Sequence, residues 1–182
     1  MAVRYIYKGK KYQSLWQVRQ AVGEQQNLVY GNPQTEQEFE AYGISVKFEE
    51  YDPFLETPID EVKTRLYSRL DQEFQSYRNS SRTYIESSLG FKVNANITAF
   101  NNVQGVIVQA EAGASTLSPE GKVAFTDFDD NIQMLDIEQL KTIQLEISVN
   151  GSRAYGVKWA YREQIEKATS HEELRNLTFN FN

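Results

Sequence analysis

The stretch Asp136–Lys167, "DIEQLKTIQLEISVNGSRAYGVKWAYREQIEK", decides how the C-terminal part of this chain folds. Asp136 followed three residues later by Gln139 has capping spacing: the carboxylate accepts from an early helix N–H and the amide reaches back. Ile137, Leu140, Ile143 or Gln144, Ile147, Tyr155, Trp159 and Ile165 then stay in helical phase if the chain continues through Asn150–Gly151. An Asn-Gly pair is also a strong turn signal, so the alternative is a break that gives two helices. The phase favours one long helix with a weakened middle.

Just upstream, "FTDFDDNIQMLDIEQL" (Phe125–Leu140) resembles calcium chemistry. Asp127, Asp129, Asn131 and Glu138 occupy positions one, three, five and twelve of the calcium-loop pattern. Position six, however, is Ile132, where the loop needs the sharp turn that glycine permits. The flanks also differ from the helices of such a loop, because Lys122 to Phe128 alternates like a strand and Ile132 to Leu135 offers a returning one. The stretch therefore reads as a β-hairpin tip rich in turn-tolerant residues. Asp136 then caps the long helix, and Glu138 is a first-turn acid favoured by the helix dipole.

Between residues 58 and 113 the reading is mixed. Thr57 is placed as N-cap with Pro58 at the first helical position, and Ile59, Val62, Leu66, Leu70, Phe74 and Tyr77 make one apolar face. The helix is interrupted near Ser80. Tyr84 to Val93 is compatible with a strand that bends at Gly90. Asn94 or Asn96 then caps a helix carrying Ile97, Phe100, Val103, Ile107 and Ala110 and closing at Gly113, with a strand at 103–109 as the alternative. Small residues form a turn at 113–121. Ser170 with Glu173 is a further capping spacing, and "LTFNFN" alternates like a final strand.

The first 50 residues read as a small β-β-α-α-β unit. Val3, Tyr5 and Tyr7 alternate with Arg4, Ile6 and Lys8 and turn at Gly9, giving strands near 3–8 and 11–13. Ser14 with Gln17 begins a helix bearing Leu15, Val18 and Val22, which Gly23 ends or weakens. Gly31, Asn32 and Pro33 break the chain, Thr35 with Glu38 starts a short helix that stops at Gly43, and Ile44, Val46 and Phe48 close the unit as a strand. "EYDPFLETPID", with two prolines, reads as a linker. The expected fold is thus α+β: an N-terminal module (1–50), a linker (51–57) and a helical domain (58–182) with an inserted β-hairpin and a C-terminal strand.

Composition narrows the function classes. The chain has 182 residues, no cysteine, one histidine and a formal net charge of −6. Disulfides, zinc-thiolate sites and cysteine nucleophiles are excluded, and an acidic surface disfavours nucleic acid. Lys8, Lys10 and Lys11 around Gly9 read as a solvated hairpin turn. The N-terminus lacks an apolar signal-peptide core, and no run reaches the roughly 18 apolar residues of a membrane span, so a soluble cytoplasmic product is expected. His171, beside the cap Ser170, has no nucleophile or orienting acid indicated around it, and no nucleotide-binding or hydrolase motif is present. No catalytic, cofactor-binding or metal-ligating residue is singled out. The 11 Tyr and 10 Phe invite a sugar-stacking reading, but most fall on the apolar stripes, so core packing is the expectation. Trp16 and Trp159 are expected as core or interface anchors.

Taken as an ordered set, four stretches carry a resemblance: "PIDEVKTRLYSRLDQEF", "SLGFKVNANITAFNNVQGVIV", "VAFTDFDDNIQMLDIEQLKTIQLEISVNG" and "AYGVKWAYREQIEKATSHEELRNLTFNF". Over residues 58 to 182 they resemble an uncharacterised domain found beside tail-fibre genes of tailed bacteriophages and Mu-like prophages. The N-terminal "YIYKGKKYQSLWQVRQAV" looks like the leader module that precedes it. The layout is similar to that of tail-fibre assembly proteins. The resemblance implies a non-enzymatic chaperone or accessory protein that binds the fibre polypeptide and assists its trimerisation, in the host cytoplasm during assembly or retained in the virion tail. Its partners would be the fibre protein and other tail or baseplate proteins. The alternatives are a structural tail or baseplate component, or a calcium- or carbohydrate-binding module of a receptor-binding tip.

Overall fold

The computed structural model describes residues 1–26, 33–113, 118 and 121–182. The expected break at Gly31–Asn32 and most of the small-residue turn at 113–121 lie outside these residues. The architecture is α+β, and the chain divides into two compact units, Met1–Pro58 and Ile59–Asn182.

In the first unit, β1 (Ala2–Tyr7) and β2 (Lys10–Tyr12) form a hairpin around Gly9, whose φ of +76° suits a residue without a Cβ. β3 (Val46–Tyr51) pairs antiparallel along the other edge of β1, giving the order β2-β1-β3. Helices α1 (Leu15–Gln26) and α2 (Glu36–Glu40) fall between β2 and β3. Their Val18, Val22 and Phe39 close over Tyr7, Ile44 and Val46 to make the core. Both helix starts use the capping spacing: the Gln17 N–H donates to Ser14 Oγ at 3.3 Å, and the Glu38 N–H to Thr35 Oγ1 at 3.2 Å.

Three expectations change in this unit. Gly23 does not end α1, which runs on to Gln26; an interior glycine costs only about 1 kcal/mol against alanine, less than burying Val18 and Val22 returns. Residues 51–57 are no linker. Tyr51 pairs with Ala2 in the sheet, and Asp52 caps a single turn, α3 (Pro53–Glu56), accepting from the Phe54 N–H at 3.0 Å. Pro53 sits at the first helical position, where its missing N–H has no intrahelical partner to lose. Thr57, expected to cap the next helix, donates its hydroxyl to the Pro53 carbonyl at 2.7 Å. Arg4, which alternates with Val3 and Tyr5 along β1, is only 6% exposed. It faces Glu49 across the sheet and donates Nε and Nη2 to that carboxylate, both at 3.0 Å, while Nη1 reaches Glu56. These bonds raise the guanidinium pKa and hold the Glu49 carboxyl below its usual range.

The second unit contains α4 (Ile59–Asn79), β4 (Tyr84–Glu86), β5 (Lys92–Asn94), α5 (Ile97–Glu111), β6 (Val123–Thr126), β7 (Ile132–Leu135), α6 (Ile137–Lys167) and α7 (His171–Arg175). α6 is one helix of 31 residues through Asn150–Gly151, about 46 Å long. Its capping box forms in full: the Gln139 N–H donates to Asp136 Oδ1 at 2.8 Å and the Asp136 N–H to Gln139 Oε1 at 3.0 Å. Leu140, Ile143 and Ile147 of α6 close a core with Val103 and Ile107 of α5, Val93 of β5 and the inward residues Val123 and Leu135 of the β6–β7 hairpin. α4 lies along the later turns of α6, where the Phe74 and Tyr155 rings meet edge-on at 4.7 Å and Lys158 pairs with Asp71 at 2.7 Å.

Here too the structure revises the reading. Tyr84 to Asn94 is a two-stranded hairpin, with Ile85 opposite Val93 and Gly90 at φ +90°, where a single bent strand was expected. Residues 103–109 are helical; Asn96 accepts from the Ala99 N–H at 2.8 Å and fixes the start of α5. Residues 177–182 form no strand. Their alternation serves ring packing: Phe181 is buried against Phe74, Tyr77 and Tyr161, and Phe179 meets Tyr161 edge-on at 5.1 Å. Trp16 and Trp159 are not core residues, being 67% and 64% exposed.

Candidate functional site

The residues that resembled a calcium loop do form a hairpin tip, and its centre is a buried carboxylate. Asp127 is 3% exposed. Its Oδ1 accepts from the backbone N–H groups of Asp129 and Asn131, each at 2.9 Å, and its Oδ2 from Gln133 Nε2 at 2.9 Å, with Asn131 Nδ2 at 3.3 Å from both oxygens. The Gln133 bond first, then those from Asn131 and Asp129, hold the Asp127 carboxyl below its usual range against the opposing effect of burial. A carboxylate filled by N–H donors closes a loop. Asp130, at φ +63°, makes the sharp turn that the pattern assigns to the place of Ile132. Glu138 points its charge elsewhere, pairing with Lys141 at 3.2 Å, while Lys141 also reaches Glu111 at 2.9 Å and so ties the end of α5 to the start of α6. Among the described residues, no three His, Asp or Glu side chains stand together in a group fit for a metal ion. His171 is the first residue of α7, directly after its cap Ser170.

A second feature has no counterpart in the sequence reading. The end of α4, the start of α5 and the middle of α6 enclose a cleft of about 320 Å³. One wall is a polar pair across 73 residues of sequence, where the Tyr77 hydroxyl meets the Asn150 amide at 3.1 to 3.3 Å; Arg153, outside the lining, reaches both and donates to the Phe181 carbonyl at 2.6 Å. The opposite corner is Arg78. Its guanidinium lies 5.3 Å from the centre of the Tyr155 ring and 5.7 Å from that of Phe74, and it donates to the Tyr155 hydroxyl at 2.9 Å. Arg78 is the single charged side chain in the lining, and no described carboxylate pairs with it. The α6 wall includes Gly151, and a Cβ built there meets nothing within 4 Å. A glycine in a helix interior costs about 0.8–1.0 kcal/mol relative to alanine, and here no neighbour demands it. What it leaves is space in the cleft.

The third feature is the outward side of α6. Leu145, Val149 and Trp159 are 60–64% exposed and share one face with Ser152 and Gly156, at successive spacings of four, three, four and three residues. The stripe runs about 21 Å along a helix whose opposite face is locked in the core. A smaller apolar face lies on the β6–β7 hairpin, where Ile132 and Met134 stand outward beside Thr126 and Ala124. Among the described residues, that hairpin pairs with no third strand.

The sequence placed Tyr77, Phe100, Ile147, Tyr155 and Trp159 on helical apolar stripes, but indicated neither the cleft nor the uncovered face. The cleft joins three helices distant in sequence, and the stripe differs from a core stripe only in being uncovered. Among the described residues, no helix is long and apolar enough to cross a membrane. Compared with known proteins, residues 56–178 match a family described as a domain of unknown function (DUF4376). No curated protein and no solved structure matches the chain.

Proposed function

The chain belongs to the DUF4376 family, and from that premise we propose that it is a non-enzymatic binding protein of bacteriophage tail assembly. It holds the tail-fibre polypeptide and assists its assembly before or during trimerisation. The observation that carries this reading is the apolar stripe of Leu145, Val149 and Trp159 on a helix fixed from behind. Soluble proteins rarely leave such residues contiguous unless something docks on them. Ser152 and Gly156 between them let another backbone come close. The ordered resemblance over residues 58 to 182 supplies the fibre as the partner, and the β6–β7 hairpin, which pairs with no third strand among the described residues, gives the same client a strand to pair with.

The test is co-expression with the neighbouring fibre gene. Soluble fibre trimer is expected to depend on this protein, and to fall when Leu145 and Val149 are both changed to Glu. A fibre that trimerises equally well without the protein removes the proposal. Assay of purified particles then separates a transient helper from a resident tail component.

A further inference from the structure

We propose that the cleft between α4, α5 and α6 is a binding site for a carboxylate-bearing saccharide unit of the uronic-acid type. The charge of the lining selects the carboxylate. In a chain of net charge −6, the cleft lining carries one formal charge, the guanidinium of Arg78, and no acid, and the Arg153 guanidinium behind Tyr77 and Asn150 adds to its positive potential. The Arg78 guanidinium is already oriented. It spends one of its five N–H donors on the Tyr155 hydroxyl and lies against the rings of Phe74 and Tyr155, so holding it in place costs little further entropy when an anion arrives.

The rest of the lining suits the hydroxyls and C–H faces of a sugar ring. Asn101, Ser148 and Ser152 are exposed neutral donors and acceptors, while the Phe100 and Tyr155 rings give the lining an apolar share against which the C–H groups of a saccharide pack. The volume, about 320 Å³, lies at the small end of ligand pockets, which matches one or two sugar units. Gly151 is the remaining argument. It forms part of the wall, and a Cβ there would meet nothing within 4 Å, so the wall at this point is backbone alone. The site shares Ser152 with the edge of the apolar stripe of α6, but its ligand and its test do not involve the fibre, and the fibre reading can fail without it.

The test is a titration of the full chain, followed by amide chemical shifts, with glucuronate and galacturonate as probes. Glucose and galactose serve as uncharged controls and inorganic sulfate as a bare anion. Saturable shifts are expected at Ile97, Gly151 and Ser152 with a uronate, and an affinity about tenfold or more weaker for the neutral sugars and sulfate. Arg78→Gln is expected to lose about the same factor, and Gly151→Leu, which fills the cleft from the helix, to abolish the shifts while the helical circular dichroism is retained. Absence of saturable shifts with both uronates overturns the proposal. So does sulfate binding as tightly as a uronate, neutral sugars binding as tightly, or uronate binding that Gly151→Leu leaves intact. Should Arg78→Gln fail to fold, the Gly151→Leu result alone decides.

Discussion

The two faces of α6 carry the same aliphatic chemistry and meet opposite fates. Leu140, Ile143 and Ile147 are closed in the core of the second unit, whereas Leu145 and Val149 stand in solvent on the same stretch of helix. Leu145 is two residues beyond Ile143, about 200° around the axis, so no neighbour that covers one can cover the other. Folding accounts for the inner face. It does not account for the outer one, where aliphatic side chains gain nothing from the monomer's own core and lower its solubility. The difference teaches that periodicity reports which residues share a face, while the cover must come from the rest of the molecule or from a partner.

The comparison breaks most visibly at Ile143. Ile143→Ala should cost about 2–5 kcal/mol, read as a lowered urea midpoint at unchanged slope, because the residue is fully buried among α5 and α6 side chains. A cost no larger than that of an outer-face change would mean that the inner face is not the core. Asp136→Ala comes next. It removes a cap that both faces share, and a loss of about 0.5–2 kcal/mol is expected; an unchanged midpoint would show that the observed box contributes nothing to α6. Gly151→Ala should raise stability by about 0.4–1 kcal/mol, since the site is helical and a Cβ there meets open space. A loss instead would place a hidden packing demand at that position. The smallest effect belongs to the outer face: Leu145→Gln should stay within about 0.5 kcal/mol of the parent while recovery of the soluble fibre declines. A large stability cost there would move Leu145 into the folding account and take the docking argument away from it.

Much of the fold was legible because its boundaries are written in short-range chemistry. Thr35 with Glu38, Asp136 with Gln139 and Ser170 with Glu173 each satisfy helix-end donors within four residues, and the structure forms all three. The Asp127 tip was readable for the same reason, since its partners lie two to six residues away. What failed depended on distant partners. The burial of Arg4 was not legible because Glu49 and Glu56 lie 45 and 52 residues on. Trp16 and Trp159 were expected as core or interface anchors, and their exposure overturns the core alternative alone, because the cover of a ring is decided elsewhere in the chain. The cleft was invisible from Tyr77 or Asn150 alone, as the first read as part of an apolar stripe and the second as a turn signal, and only the packing of α4 on α6 brings them together.

The C-terminal residues 177–182 illustrate how a segment can be held without secondary structure. Phe181 is as inaccessible as the centre of the core, yet no strand ladder shelters the backbone around it. Of this tail, the Asn180 N–H rests on the Tyr161 hydroxyl at 3.2 Å and the Asn182 N–H on the neighbouring Asn180 side chain at 2.9 Å. Ring burial and amide protection are therefore uncoupled here. In deuterated water the tail amides should exchange well ahead of those in the middle of α6, while the Phe181 ring keeps the slow, well-dispersed signals of a buried aromatic: a clasp that is tight at its side chains and open along its spine.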